Sequence, residues 1–432
     1  MANMNIPQFT TLQQWLTWQE GLHPQEIDLG LKRVDSVRAA LDIPQQLSST
    51  VITIAGTNGK GSTLRLLEEI CKAQGLSVGS YTSPHLKVYN ERIKLNGEPV
   101  SDQEICAAFE RIDQCRKDTS LSYFEFGTLA ALEIFKNEQP DVVLLEVGLG
   151  GRLDAVNIID PDIAVITSIG MDHMDWLGDT LEDIAREKCG IMRAGKYAVS
   201  GEKRDIKSIT ETARNVGAKL LHQDKDFGYQ KREEGWYWTN NVDYKELLNL
   251  SKPAMQGEHQ YENAATVMMV ICLLQREFGI EISSDSINIG LENYYLPGRV
   301  EAIKRDGVDW IIDVSHNVDG VQRLQEYLVT QECSGKTYAV FGLLKRKELE
   351  PVVEVMDSVI DSWFLTELPD PDSFSREELH KRVAAEIGSD NQVCSFSNFE
   401  ELYPNLLEQI TAGDRVVLFG SFRMVEAFTK LG

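Results

Sequence analysis

Long apolar runs are missing from this chain of 432 residues, and no stretch approaches the roughly 18 apolar residues of a membrane-spanning helix, so no membrane span is expected. Cysteine is sparse. The seven present (Cys71, Cys106, Cys115, Cys189, Cys272, Cys333, Cys394) are odd in number, scattered and never spaced Cys-x-x-Cys. That pattern speaks against a disulfide framework and a structural zinc site, and it fits a reducing cytoplasm. Positive charge is also in deficit, with 43 Lys+Arg against 67 Asp+Glu and a net charge of −24. A sequence-independent grip on nucleic acid depends on neutralising phosphates with Lys and Arg, so that class of partner is not expected. Anionic small ligands remain open, because a local cluster of backbone N–H groups and a few cations suffices for them. The N-terminal segment, interrupted by Gln13, Gln14, Glu20 and Asp28, contains neither a signal-peptide core nor a basic transit helix. With 42% hydrophobic residues, the chain has material for two or three domains of about 100–200 residues each.

Apolar runs of strand length alternate with helical patterns. Val51 to Ala55, Val142 to Val147 and Ile163 to Ile169 predict a mainly parallel sheet flanked by helices. A second series, Trp310 to Val314, Tyr338 to Leu343, Val359 to Leu365, Gln392 to Phe396 and Arg415 to Phe419, predicts a smaller doubly wound domain. Pro297 and Gly298 punctuate the chain between the two, which puts the boundary there, with domains at residues 1–295 and 296–432. The segment Phe227 to Thr239, rich in Tyr and Trp around a charged turn, reads as a β-hairpin inserted in the first domain.

The strand Val51 to Ala55 runs into Gly56-Thr57-Asn58-Gly59-Lys60-Gly61-Ser62-Thr63 and then into Leu64, Leu66, Leu67 and Ile70 at helical spacing. Glycines let successive backbone N–H groups turn toward a phosphate, and the helix N-terminus and Lys60 add positive field. A Gly-rich strand–helix turn without a ligand is the bland alternative. Gly61 stands where a hydroxyl normally approaches Mg²⁺, so another oxygen must help to hold the metal. Glu146 ends the run Val142 to Leu145 at the same sheet edge, where a Mg²⁺ ligand belongs; a helix-capping or solvent-facing Glu is the other reading. His173, in Asp172-His173-Met174-Asp175 after the third strand, is the histidine whose strand-end position and acidic neighbours suit a metal shell. Ser83-Pro84-His85-Leu86 reads by local rules only as a turn.

Gly-Thr-Asn-Gly-Lys resembles the signature of the Mur ligase family of ATP-dependent amide-forming enzymes. From about Asp28-Leu29-Gly30 to Gly420-Ser421-Phe422, the chain is similar to that family's bifunctional dihydrofolate synthase/folylpolyglutamate synthases. The resemblance implies an α/β fold, a P-loop parallel-sheet ATPase domain followed by a smaller Rossmann-like domain. It implies ATP as co-substrate with two Mg²⁺, and L-glutamate, dihydropteroate and reduced folates as the other substrates of a cytoplasmic monomer. Ser83, Glu146, His173 and Lys188, the last as a carbamate, match metal ligands; a solvated helix lysine is the alternative for Lys188. Asn58, Gly59, Lys60, Gly61, Ser62, Asn263, Arg299 and Asp313 match the nucleotide site, and Lys60, Lys188 and His316 match catalytic positions. Gly30, Leu31 and Arg33, then Tyr123 and Phe124, then Leu153, Asp154 and Ala155 look like pterin-side segments, though read alone they are ordinary loops or helix starts. The family's Gly-x-Leu-x-Asp-Lys-Asp becomes Gly342-Leu343-Leu344-Lys345-Arg346-Lys347-Glu348, which replaces one carboxylate by Arg346. A synthase restricted to folylpolyglutamates, a cell-wall Mur ligase and a nucleotide switch protein are the competing readings.

Overall fold

The computed structural model describes residues 9–25, 28–241, 246–388 and 391–431. They form two compact units: residues 1–169, 179–252 and 262–294 in the first, and 170–178, 253–261 and 295–432 in the second. The second unit thus recruits two short segments, 170–178 and 253–261, from the part of the chain that a single cut near residue 295 leaves in the first domain.

The first unit is built on eight strands: β1 Thr50–Ala55, β2 Val78–Tyr81, β3 Ile93–Leu95, β4 Glu98–Pro99, β5 Val142–Glu146, β6 Ile163–Ile166, β7 Tyr197–Ser200 and β8 Lys219–His222. Their order is β4-β3-β2-β5-β1-β6-β7-β8, parallel from β2 to β8, with β3 and β4 antiparallel at one edge. All five residues of β5 are buried, as a parallel strand covered on both faces requires. The β1–β5 register pairs Ile54 with Glu146, so the strand that feeds the Gly-rich turn and the strand that ends in a carboxylate finish side by side.

After β1, the helix Lys60–Ala73 buries Leu64, Leu66, Leu67 and Ile70 against the sheet. Ile70 also meets the helix Ser284–Asn293 at Gly290, where a Cβ would lie 2.3 Å from Ile70 Cγ1. The predicted hairpin is present as β9 Phe227–Arg232 and β10 Gly235–Asn240, to which β11 Glu246–Leu250 adds a third antiparallel strand. The buried Trp238 donates its indole N–H to the Ala265 carbonyl at 3.0 Å, which anchors this small sheet to the long helix Glu258–Phe278.

In the second unit, β12 Glu301–Arg305, β13 Val308–Ile312, β14 Thr337–Phe341, β15 Ser362–Thr366, β16 Gln392–Phe396 and β17 Arg415–Phe419 order as β12-β13-β17-β14-β15-β16. Only the β12–β13 pair is antiparallel. Phe341 packs against Phe419 at 4.9 Å and against Trp363 at 5.8 Å between ring centroids, and these rings centre the core on one face of the sheet.

Candidate active site

Gly56 leaves β1 with its Cα against Thr167; a Cβ there would fall 1.8 Å from Thr167 Oγ1, so only glycine fits. The third strand ends at Ile166 rather than running to Ile169. Thr167 and Ser168 leave the sheet to hold the turn instead: both hydroxyls donate to Asn58 O, at 2.6 and 3.1 Å, and Thr57 N donates to Ser168 O at 2.6 Å. Gly59 takes a left-handed φ of 87°, and a Cβ on it would lie 2.6 Å from Asn263 Oδ1. Asn263, on the helix Glu258–Phe278, is therefore packed directly on the turn. Gly61 and Ser62 lie in the first turn of the helix that opens at Lys60, where N–H groups are not consumed by helix hydrogen bonds.

Two lysines meet this turn at one atom. Lys60 Nζ donates to Gly56 O at 2.9 Å and to Thr57 O at 3.3 Å, and Lys188 Nζ donates to Gly56 O at 3.0 Å. Lys188 is only 5% exposed, which removes the solvated-lysine reading of its helix, Leu181–Lys188. With Lys188 unmodified, two ammonium groups share one carbonyl; a carbamate on Lys188 would leave Lys60 as the cation at the mouth of the turn. At the neighbouring strand end Glu146, also buried, accepts Ser83 N at 3.3 Å. Glycines bring the next loop close: a Cβ on Gly148 would lie 2.7 Å from Phe124 Cζ, and one on Gly151 would lie 2.7 Å from Lys188 O.

Asp154 caps the short helix Ala155–Ile158, accepting Val156 N at 2.9 Å and Leu149 N at 2.8 Å. Burial pushes its pKa up from 3.8 to about 6, opposed by those N–H bonds and by the Lys60 charge. The folded chain therefore keeps a proton between about pH 4 and 6 that the unfolded chain has lost, and stability falls as pH rises through that window. Asp154→Asn is expected to flatten this fall, read as the difference in urea-unfolding free energy between pH 4 and 7 for the two proteins.

Arg33 braces the remaining segments expected on the pterin side. It pairs with Asp28 at 2.6 Å and with Glu125 at 2.9 Å, while Glu125 also accepts Ser122 N at 2.7 Å in a capping box at the start of the helix Tyr123–Glu138. Leu31, Tyr123 and Phe124 pack on the core of the first unit. Gly30 has open space where a Cβ would go, Leu153 is half-buried and Ala155 is buried.

The second unit carries its own cluster. His173 does not end a strand; it caps the short helix Met174–Leu177 in a left-handed conformation with φ 53°. Beside it, Asp172 binds Lys347 Nζ at 2.5 Å and Asn317 Nδ2 at 3.2 Å, and His316 Nε2 lies 3.6 Å away. Burial alone would raise the Asp172 pKa, but His316, Lys347 and His173 outweigh it and hold the carboxyl far below the usual range. A cavity of about 70 Å³ opens among these residues, Arg346 and Glu348. His316 Nδ1 lies 2.8 Å from Val314 O, which fixes the proton on Nδ1 and leaves Nε2 as an acceptor in the neutral ring. Burial, then the Lys347 charge, pushes the His316 pKa down, opposed by the Asp172 carboxylate and by the bond to Val314 O.

Asp313 spends its oxygens on backbone: Val300 N at 2.8 Å and Ser315 N at 2.7 Å. It thereby ties the Pro-Gly-Arg segment to the loop that carries His316. Arg299 lies over the Phe422 ring at 5.4 Å. Arg346 pairs with Asp372 at 3.1 Å, so the basic residue in the family's acidic position has its own carboxylate. Asp172 is read in the sequence only as an acidic neighbour of His173, and its pairing with Asn317 and Lys347 is what sequence reasoning missed. Lys347 stands at the lysine of the family's Gly-x-Leu-x-Asp-Lys-Asp pattern, and its side chain is buried against Asp172. Ser83, Glu146 and Lys188 belong to the first unit and His173 to the second.

Residues 54–271 match the Mur ligase middle domain, and residues 298–422 match the Mur ligase glutamate ligase domain. The chain is 38% identical to the dihydrofolate synthase/folylpolyglutamate synthase of Escherichia coli strain K12, over 96% of this chain and 94% of that one. The E. coli FolC structure in complex with DHPP and ADP superposes with a TM-score of 0.89 at 37% identity, covering 98% of this chain and 97% of that chain. A Yersinia pestis bifunctional folylpolyglutamate synthase/dihydrofolate synthase with Mn, AMPPNP and L-glutamate bound gives a TM-score of 0.87 at 37% identity, covering 98% of each chain. No helix among the described residues is long and apolar enough to cross a membrane. The chain belongs to the Mur ligase family, in its dihydrofolate synthase/folylpolyglutamate synthase branch.

Proposed function

We propose that this protein is an ATP-dependent ligase that adds L-glutamate to dihydropteroate, giving dihydrofolate, and to reduced folates, giving folylpolyglutamates, through an acyl phosphate. The observation that carries the reading is the Gly56–Lys60 turn, with Lys60 and the buried Lys188 meeting at Gly56 O and Ser83 and Glu146 at the adjoining strand ends. Relatives with the same architecture hold ADP or AMPPNP, DHPP and L-glutamate.

A carboxylate is a poor electrophile, so the ATP γ-phosphoryl group is transferred to it first. Asn58, Gly59, Gly61 and Ser62 present N–H donors and a hydroxyl to the phosphates, Asn263 fixes Gly59, and Lys60 offsets charge on the transferring group. Arg299 is assigned to the nucleotide, and Asp313 holds the Arg299–His316 segment in shape. The donors at Ser83 and Glu146 are hard oxygens, which fit Mg²⁺; His173 and a Lys188 carbamate complete the proposed set for two ions. When bound, the metal polarises the phosphoryl oxygens.

Lys188 becomes a carbamate when its neutral amine forms an N–C bond to CO₂ and releases a proton. The carbamate nitrogen would keep one N–H, enough to retain the Gly56 contact, and its new oxygens would be donors for a metal. Glutamate must attack as a neutral amine, and His316 Nε2, held as an acceptor, takes the proton. The pterin side is assigned to Gly30, Leu31, Arg33, Tyr123, Phe124, Leu153, Asp154 and Ala155. The net charge of −24 favours small-molecule partners over nucleic acid, and a cytoplasmic monomer is the proposed form.

ADP release tests the assignment, measured with dihydropteroate, with a reduced folate and with neither, glutamate being present throughout. Turnover is expected with either acid and only background with neither. Turnover on the reduced folate alone identifies a folylpolyglutamate-only synthase. Turnover on neither, with binding of a UDP-linked peptide, favours a cell-wall ligase.

A further inference from the structure

Arg92 is a buried guanidinium, 9% exposed, at the end of the short helix Tyr89–Arg92 in the first unit. Its Nε donates to His85 Nδ1 at 2.8 Å, its plane lies 5.5 Å from each of the Tyr89 and Tyr123 rings, and it reaches the Tyr81 hydroxyl. Among the described residues no carboxylate pairs with it. The adjacent Glu91 is committed to Leu86 N, Lys87 N and Val88 N, at 2.7, 2.8 and 2.9 Å. A buried cation without an anion is costly unless something supplies one. The buried Tyr89 hydroxyl in the same cluster also has no hydrogen-bond partner.

The location is informative. Arg92 O accepts Thr82 N at 2.9 Å, one residue before Ser83, and Tyr123 adjoins Phe124, which packs on Tyr81 at 5.9 Å between centroids. The unpaired cation thus lies between the proposed metal side and the proposed pterin side of one unit. Because Arg92 donates to His85 Nδ1, a neutral His85 carries its proton on Nε2.

We propose that Arg92, supported by His85, binds the α-carboxylate of a γ-glutamyl tail, so that it recognises folates already carrying glutamate. Dihydropteroate has one carboxylate, and that group must be free to attack the γ-phosphoryl group. A folate that already carries glutamate offers a second anion beside its reacting γ-carboxylate. Arg92 therefore separates the two substrates of a bifunctional enzyme, and the inference rests on that proposed function.

The test compares kcat/KM for a reduced folate with kcat/KM for dihydropteroate in wild type, Arg92→Met and Arg92→Lys. Loss of a charge-assisted hydrogen bond should lower the folate-to-dihydropteroate ratio by about 10–100-fold in Arg92→Met, with partial recovery in Arg92→Lys. An unchanged ratio, whether both activities persist or both fall together, overturns the proposal. Wild type is also assayed with a reduced folate whose α-carboxylate is replaced by carboxamide. Discrimination of similar size supports the proposal even if Arg92→Met does not fold, and equal use of acid and amide overturns it. If wild type turns over neither dihydropteroate nor folate, the proposed function itself fails and this inference falls with it; turnover of both without discrimination removes only the role of Arg92.

Discussion

Lys60→Ala is expected to lower turnover by at least about 10²-fold while leaving the urea-unfolding midpoint close to wild type. The turn does not depend on this ammonium for its shape: Thr167, Ser168 and the close fit of Gly56 hold it, and Asn263 backs Gly59. What Lys60 supplies is charge at Gly56 O, and the need for charge is greatest when the γ-phosphoryl group moves between oxygens. The loss should therefore fall mainly on kcat. A Lys60→Ala protein with most of its activity removes the phosphate-site assignment.

Lys188→Ala is expected to lose most activity, and Lys188→Arg is expected to lose it as well, although arginine keeps the positive charge. Arginine remains protonated and cannot form the carbamate. An ammonium has no lone pair for a metal, whereas a carbamate is an anionic oxygen donor on the same arm. A short carboxylate in the assay should restore part of the Lys188→Ala activity by occupying the vacated volume. If Lys188 served only as a cation, Lys188→Arg would remain substantially active, so full activity in that protein refutes the carbamate. Burial makes the comparison sharper, because a residue 5% exposed and bonded to Gly56 O is not a surface lysine.

The parts legible in the sequence are those in which local pattern and tertiary role coincide. The strand, glycine turn, lysine and amphipathic helix from Val51 to Ile70 are contiguous, so the strand–turn–helix unit is legible directly. The buried parallel strands Val142–Glu146 and Arg415–Phe419 announce themselves by continuous apolar runs, and the Trp-rich hairpin by its alternation. The short edge strands Ile93–Leu95 and Glu98–Pro99 have too few residues to show a period. The run Ile163 to Ile169 overstates β6, which ends at Ile166 because Thr167 turns away to bond Asn58 O.

Asp172 and Lys347 were illegible for a different reason. They are 175 positions apart, and only the association of residues 170–178 with the second unit brings the carboxylate to the lysine. Arg92 likewise looks like a surface arginine in a polar turn until its burial between two tyrosine rings is seen.

The central claim is that ATP activates the acid as an acyl phosphate, and oxygen transfer tests it most directly. Dihydropteroate labelled with ¹⁸O in its carboxylate is incubated with ATP, glutamate and the enzyme, and the released inorganic phosphate is examined by mass spectrometry. In the proposed sequence a carboxylate oxygen attacks the γ-phosphorus, ADP leaves, the glutamate amine attacks the carbonyl carbon, and the C–O bond to phosphate breaks. The phosphate then carries one ¹⁸O atom per amide formed. Amide formation accompanied by unlabelled phosphate would contradict the account.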